Sequence, residues 1–139
     1  MSISTIIPED YVPDVQLRLT IYKRIASCTD TESLRDIQIE MIDRFGLLPV
    51  SVKNLIRVTE LQPRLAALCI KKLEGNRQRL VFEIGDNTPI APLRIIELIQ
   101  KQSETYQLTN ATRLVVKKPS DSADERIGLV YHVLNLLEN

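Results

Sequence analysis

Apolar residues in the first half of the chain recur every three to four positions, as they do along the buried face of an amphipathic helix. The predicted helices cover residues 14–27, 31–45 and 51–68. Asp14 is the expected N-cap of the first helix, and Thr29 with Glu32 has the spacing of a capping box for the second. Gly46 predicts the end of the second helix, because glycine adopts backbone conformations after a helix that other residues avoid.

The third predicted helix contains a proline, Pro63, in its interior. An interior proline costs a helix about 3 kcal/mol, because it removes one backbone hydrogen bond and its ring clashes with the preceding turn. The segment is therefore predicted either to kink at Pro63 or to form two helices, the second with Pro63 in its first turn. The sequence pattern leaves both alternatives open.

After residue 68 the hydrophobic period changes from helical to alternating, which is typical of β-strands. Residues 80–84 alternate in this way and are predicted to pair with residues 69–73 as a hairpin. Gly75 and Asn76 supply the turn residues between them. Further along, Thr88-Pro89 has the chemistry of a helix start, with the helix ending near residue 102. The remaining predicted elements are strands at 106–108 and 113–117 and a last helix opened by a Ser122–Glu125 capping box.

This order of elements predicts an α+β fold. An N-terminal helical layer of three or more helices is followed by a small antiparallel or mixed sheet with two further helices. A chain of 139 residues has the usual length of one domain. The predicted single domain, 1–139, consists of an extended N-terminal segment at 1–13, a helical lobe at 14–68 and an α/β lobe at 69–139.

Composition and charge are those of a folded protein with no strong electrostatic bias. Eighteen basic and 18 acidic residues give a formal net charge of zero, whereas nucleic-acid binders usually carry a basic excess. Cys28 and Cys69 are far apart and form no metal-binding motif, so they are predicted to be buried, reduced thiols. No signal peptide or membrane span is predicted, and the expected location is cytoplasmic.

Motifs that would indicate catalysis are missing from the sequence. The single histidine, His132, has no neighbouring ligand at helical spacing, and four glycines are too few and too dispersed for a glycine-rich phosphate loop. No nucleophile elbow occurs either. We therefore predict no catalytic residues, no cofactor and no metal, although an acid–base pair formed only in three dimensions stays open.

Two groups of basic residues support an alternative function. They are Arg18, Lys23 and Arg24 near the first helix, and Lys71, Lys72, Arg77 and Arg79 around the predicted hairpin. Either group would suit a nucleic-acid-binding accessory domain of a DNA-repair or transcription protein, or simply a solvated face. The chain has few aromatic residues for stacking on bases, which disfavours the nucleic-acid alternative.

The second predicted helix carries the best candidate binding residues, Glu40, Asp43 and Arg44, on one flank. They lie beside an apolar stripe of Ile37, Met41 and Phe45. In the simpler interpretation, Glu40 and Arg44 form an i,i+4 ion pair worth about 0.2–0.5 kcal/mol. In the functional interpretation, the three charges form a strip that docks on a protein partner, next to exposed apolar residues.

Five stretches in a fixed order identify a family. They are Ile7–Asp14, Arg18 with Tyr22–Ala26, Ile42–Pro49, Lys71–Asn76 and Leu98–Gln102. Together they resemble the C-terminal domain of the bacterial transcription-repair coupling factor. The resemblance covers nearly the whole chain, and it is weakest around residues 119–124.

The resemblance implies a function for the chain. Members of this family are large ATP-driven DNA translocases that displace stalled RNA polymerase and recruit excision repair. None of their motor or polymerase-binding motifs occurs here, so the chain is expected to be an excised domain. In the family this domain folds back on an N-terminal module that resembles a repair-helicase domain. It thereby covers the binding surface for the excision-repair damage-recognition ATPase, which is an autoinhibitory role. The family's docking residues match Glu40, Asp43 and Arg44.

Overall fold

The computed structural model describes residues 5–138 of the chain. Their helices are α1 Val15–Ala26, α2 Thr31–Phe45, α3 Val50–Ala67, α4 Pro92–Lys101 and α5 Ala123–Glu138, and their strands are β1 Ile70–Gly75, β2 Leu80–Ile84, β3 Tyr106–Thr109 and β4 Arg113–Val116. Three helices precede a fully antiparallel sheet of order β1-β2-β4-β3, which confirms the predicted α+β class. The first four residues of the predicted N-terminal segment lie outside the described part.

The chain divides into two compact units, one ending at Leu61 and the other beginning at Gln62. The division therefore falls inside α3, next to Pro63. The predicted single domain, with a lobe boundary at residue 68, stays a prediction. In the first unit a buried cluster joins the N-terminal segment to the three helices through Ile7, Val12, Ile21, Ile25, Leu34, Ile37, Met41, Val52 and Ile56.

The helix starts confirm one predicted cap and correct another. Asp14 caps α1, since its carboxylate accepts a hydrogen bond from the Leu17 amide at 3.0 Å. The capping box predicted at residue 29 is wrong. Asp30 caps α2 instead, accepting from the Ser33 amide at 2.7 Å, because it directly precedes the first helical residue and its carboxylate is the stronger acceptor.

The end of α2 is where the sequence predicts it, at Gly46. This residue has φ +95° and ψ −169°, a region that is accessible almost only to glycine, and its amide donates to the Ile42 carbonyl at 3.0 Å. In α3, the two-helix alternative is wrong, because a single helix runs through Pro63. Beyond Pro63, Arg64 donates hydrogen bonds to both carboxylate oxygens of Glu138 on α5, at 2.6 and 3.0 Å.

Register in the sheet gives one apolar face and one on which charged residues lie beside the buried Val81 and Val115. Phe82, for example, pairs with Leu73 on one side and Leu114 on the other, and Phe82 and Leu114 are fully buried. Glu83 is in register with Lys72 and Arg113, so these charges share the opposite face. In α5, the buried apolar residues are Ile127, Leu129, Val130, Val133, Leu134 and Leu137.

The predicted start of α4 at Thr88-Pro89 is wrong. The helix begins at Pro92, which takes the first helical position after Ala91. The Thr88 hydroxyl donates to the Leu68 carbonyl at 2.7 Å and accepts from the Ile90 amide at 3.2 Å, so it organises the preceding turn.

The cap predicted for the last helix is present at the start of α5. The Ser122 hydroxyl accepts from the Glu125 amide at 3.1 Å. The Glu125 carboxylate accepts from the Asp121 amide at 2.7 Å, which is one residue before the predicted partner.

Candidate protein-docking site

The solvent side of α2 carries the charges that the sequence singles out, together with exposed apolar side chains. The predicted stripe faces the core: Ile37 and Met41 are buried and Phe45 is partly buried. The exposed apolar residues are Ile39, Ile42 and Leu47, with exposed fractions of 59%, 43% and 86%. We call the set of Ile39, Glu40, Ile42, Asp43, Arg44 and Leu47 the α2 surface.

Glu40 is held from the neighbouring helix rather than from its own. Arg24 on α1 donates hydrogen bonds of 2.6 and 3.0 Å to the two carboxylate oxygens of Glu40. These bonds hold the pKa of the Glu40 carboxyl below its ordinary value and raise the pKa of Arg24. The sequence pattern puts Arg24 in a basic group and does not indicate this contact, because two residues that are 16 positions apart on different helices share no periodic pattern.

The i,i+4 pair between Glu40 and Arg44 exists but is the weaker contact. Arg44 reaches one Glu40 oxygen at 3.4 Å, while its guanidinium carbon lies 5.0 Å from the centre of the Phe45 ring. The Asp43 side chain is exposed and makes no hydrogen bond or ion pair within residues 5–138. The three predicted residues thus lie together, but only two of them are in contact.

The basic groups proposed for nucleic-acid binding are partly occupied by internal contacts. Arg18 donates to the backbone carbonyls of Val12 and Pro13 at 2.8 and 3.1 Å, and its side chain is only 14% exposed. Arg24 is bound to Glu40, which leaves Lys23 as the freely exposed cation of the first group. In the second group Lys72 pairs with Glu74 at 2.7 Å, while Lys71, Arg77 and Arg79 are exposed. These contacts reduce the positive charge that either group could offer to phosphates.

The remaining candidate residues are the single histidine and the two cysteines. Residues 5–138 contain no group of three or more His, Cys, Asp or Glu side chains that could hold a metal ion. His132 is exposed on α5. Cys28 and Cys69 are free thiols, but they are only partly buried, which corrects the predicted full burial. Over the same residues, no helix has the length and apolar character needed to cross a membrane.

Comparisons with known proteins identify the family. Residues 1–95 match the family profile described as the TRCF domain. The chain belongs to the TRCF domain family. It is 38% identical to the transcription-repair-coupling factor of Escherichia coli K12 over 96% of its own length, and 33% identical to that of Haemophilus influenzae over 99%. In each case the matched region is 12% of the relative, so this TRCF domain spans about an eighth of the curated relatives.

A solved structure has the same fold as this TRCF domain. It is described as the crystal structure of the C-terminal domain of transcription-repair coupling factor, and the superposition has a TM-score of 0.76. The match covers 99% of this chain and 91% of the solved one at 19% sequence identity. The resemblance inferred from the sequence is therefore confirmed, in family and in fold.

Proposed function

We propose that this TRCF domain is a non-catalytic regulatory domain that docks on the N-terminal, repair-helicase-like module of its parent protein. Docking masks the surface through which that module binds the damage-recognition ATPase of excision repair. The observation that carries the proposal is the α2 surface, where charged side chains of both signs lie among exposed apolar ones. The family resemblance implies that Glu40, Asp43 and Arg44 on this surface are docking residues. The parent is an ATP-driven DNA translocase that acts on stalled RNA polymerase in the cytoplasm.

The chemistry of the α2 surface suits a reversible contact. Polar and charged groups fix the register of an interface through complementarity while adding little excess affinity. A domain tethered to its partner in one chain meets it at an effective concentration on the order of 1 mM. An intrinsic dissociation constant of about 10–100 µM would then keep about ten closed molecules or more for each open one. Binding of polymerase elsewhere in the parent releases the docked domain by shifting the equilibrium between closed and open molecules.

Calorimetric titration tests the proposal directly. The isolated domain is titrated with the N-terminal module of the same coupling factor at low and moderate salt. We expect binding that weakens as salt rises, because charged groups contribute to the contact. Charge reversal by Glu40→Lys or Arg44→Glu is expected to weaken binding by tenfold or more.

Two reversals on α4 provide matched controls. Glu97→Lys and Lys101→Glu change the same charges at exposed positions outside the α2 surface, and both are expected to leave binding unchanged. Circular dichroism establishes that all four variants remain folded. If the wild-type domain gives no heat of binding to the N-terminal module at near-millimolar concentration, the proposal is wrong. An affinity for DNA that falls steeply as salt rises would favour the nucleic-acid-binding alternative.

A further inference from the structure

The charged side chains of the α2 surface differ in the hydrogen bonds that they make within the domain. Glu40 is held in a bidentate pair, since a single guanidinium, that of Arg24, bonds to both its oxygens. Such a bidentate pair fixes the orientation of both groups more firmly than a single hydrogen bond does. The pair also joins α1 to α2 beside the proposed docking residues, with 42% and 39% of the two side chains exposed.

Asp43 and Arg44 keep their bonding capacity for a partner. Arg44 has five N–H donors and contacts Glu40 through only one of them, at 3.4 Å. Its guanidinium lies against the Phe45 ring, which holds the cation near the surface without occupying its donors. The Asp43 side chain makes no ion pair or hydrogen bond within residues 5–138.

We infer that Arg24 is a positioning residue of the docking surface, which holds Glu40 in place so that Asp43 and Arg44 are the charges that meet the partner. The inference rests on the proposed function and assigns roles within it. Without Arg24, Glu40 would be free to turn towards Arg44, its remaining neighbour of opposite charge, and would compete with the partner for that guanidinium.

The charges of Asp43 and Arg44 predict which side chains the partner surface carries. A complementary surface on the N-terminal module would present a carboxylate to Arg44, a Lys or Arg side chain to Asp43 and an apolar side chain to Ile42, which is 43% exposed. Because Asp43 and Arg44 are adjacent in sequence and opposite in charge, a partner with the reversed order of charges would place like charges together. The surface therefore selects the orientation of the partner as well as its identity.

A double-mutant cycle tests the role of Arg24. Arg24→Gln, Glu40→Gln and the double variant are titrated with the N-terminal module of the same coupling factor. We expect each single variant to weaken binding by about three- to tenfold, and the double variant to bind no more weakly than the weaker single one, because all three lose the same bond. Arg24→Lys, which retains the charge but not the fork of donors, is expected to recover part of the loss.

The chain provides a matched control in a second arginine–glutamate pair. Arg64 bonds to both oxygens of Glu138 at the same distances as Arg24 does to Glu40, 2.6 and 3.0 Å. Arg64→Gln removes a bidentate bond of the same kind elsewhere, together with the Arg64 hydrogen bond to Asn135 at 2.8 Å. It is therefore expected to lower the melting temperature at least as much as Arg24→Gln does and to leave docking unchanged. Equal weakening of docking by Arg64→Gln and Arg24→Gln would overturn the inference, because the effect would then reflect general stability.

Two further outcomes separate the inference from the function on which it rests. If Glu40→Gln weakens docking while Arg24→Gln has no effect or tightens it, Glu40 contacts the partner itself and the inference is wrong, although the proposed function survives. If wild-type domain does not bind the module, or instead forms dimers through the same surface in sedimentation experiments, the proposed function and the inference fail together.

Discussion

The hydroxyl of Tyr11 donates a hydrogen bond of 2.8 Å to the carbonyl of Gly46, joining the N-terminal segment to the end of α2. The ring centres of Tyr11 and Phe45 are 5.7 Å apart in a tilted arrangement. A residue 35 positions earlier thus fixes the turn between Arg44 and Leu47. The geometry at the C-terminal end of the α2 surface depends on this tertiary contact.

Removal of this hydroxyl isolates the contribution of its hydrogen bond. Tyr11→Phe retains the ring packing and is expected to lower the free energy of unfolding by about 1 kcal/mol, because the Gly46 carbonyl and the partly buried Met41 carbonyl, 3.3 Å from the hydroxyl, both lose their donor. Urea denaturation followed by circular dichroism measures the change. An unchanged midpoint would mean that water replaces the hydroxyl at no cost.

Two glycines offer opposite outcomes for the same substitution. Gly46→Ala is expected to destabilise the protein by about 1–3 kcal/mol, since φ +95° with ψ −169° is nearly inaccessible to alanine. No atom lies within 4 Å of the added methyl group, so the cost is in the backbone alone. Gly128→Ala, in the exposed middle of α5 and equally free of clashes, is expected to stabilise by about 0.5–1 kcal/mol. Thermal unfolding measures the change in stability of both variants. Stability changes of the same sign would contradict the conformational explanation.

The most exposed apolar residue of the α2 surface separates docking from folding. Leu47 is 86% exposed, so Leu47→Ser is expected to leave the unfolding free energy within about 0.5 kcal/mol of wild type. If Leu47 contacts the N-terminal module, the same change weakens docking severalfold in calorimetry. Leu93→Ser on α4, at a position that is 69% exposed, serves as the control and is expected to leave docking unchanged. A Leu47→Ser domain that docks normally would remove this residue from the interface.

The Arg64–Glu138 pair predicts how stability depends on pH. Hydrogen bonds from Arg64 hold the pKa of the Glu138 carboxyl below its ordinary value of 4.5. A carboxyl whose pKa is lower in the folded state contributes stability above its unfolded pKa, and this contribution is lost as pH falls through the folded value. Glu138→Gln is therefore expected to cost about 1 kcal/mol or less at pH 7, since the pair is partly exposed. The difference from wild type should shrink below about pH 4.5, and a gap that widens in acid would contradict this assignment.

Local sequence patterns were sufficient to predict most of the fold. Helical and alternating periods located the helices and strands of residues 5–138, because the period of the apolar residues shows which side chains a helix or a strand can bury together. Errors occurred where several short-range candidates compete, as at Thr29 against Asp30 and at Thr88 against Pro92. Asp30 directly precedes the first residue of α2, and Pro92 is itself the first residue of α4.

For the candidate site, the sequence by itself determined which charges lie together on α2, because a helical period fixes neighbours three and four residues apart. It did not reveal that Arg24 holds Glu40, nor that Ile39, Ile42 and Leu47 are the exposed apolar residues beside these charges. Those features depend on how α1 and the N-terminal segment pack against α2. Only the tertiary structure decided them, because contacts between distant parts of the chain produce no periodic pattern in the sequence.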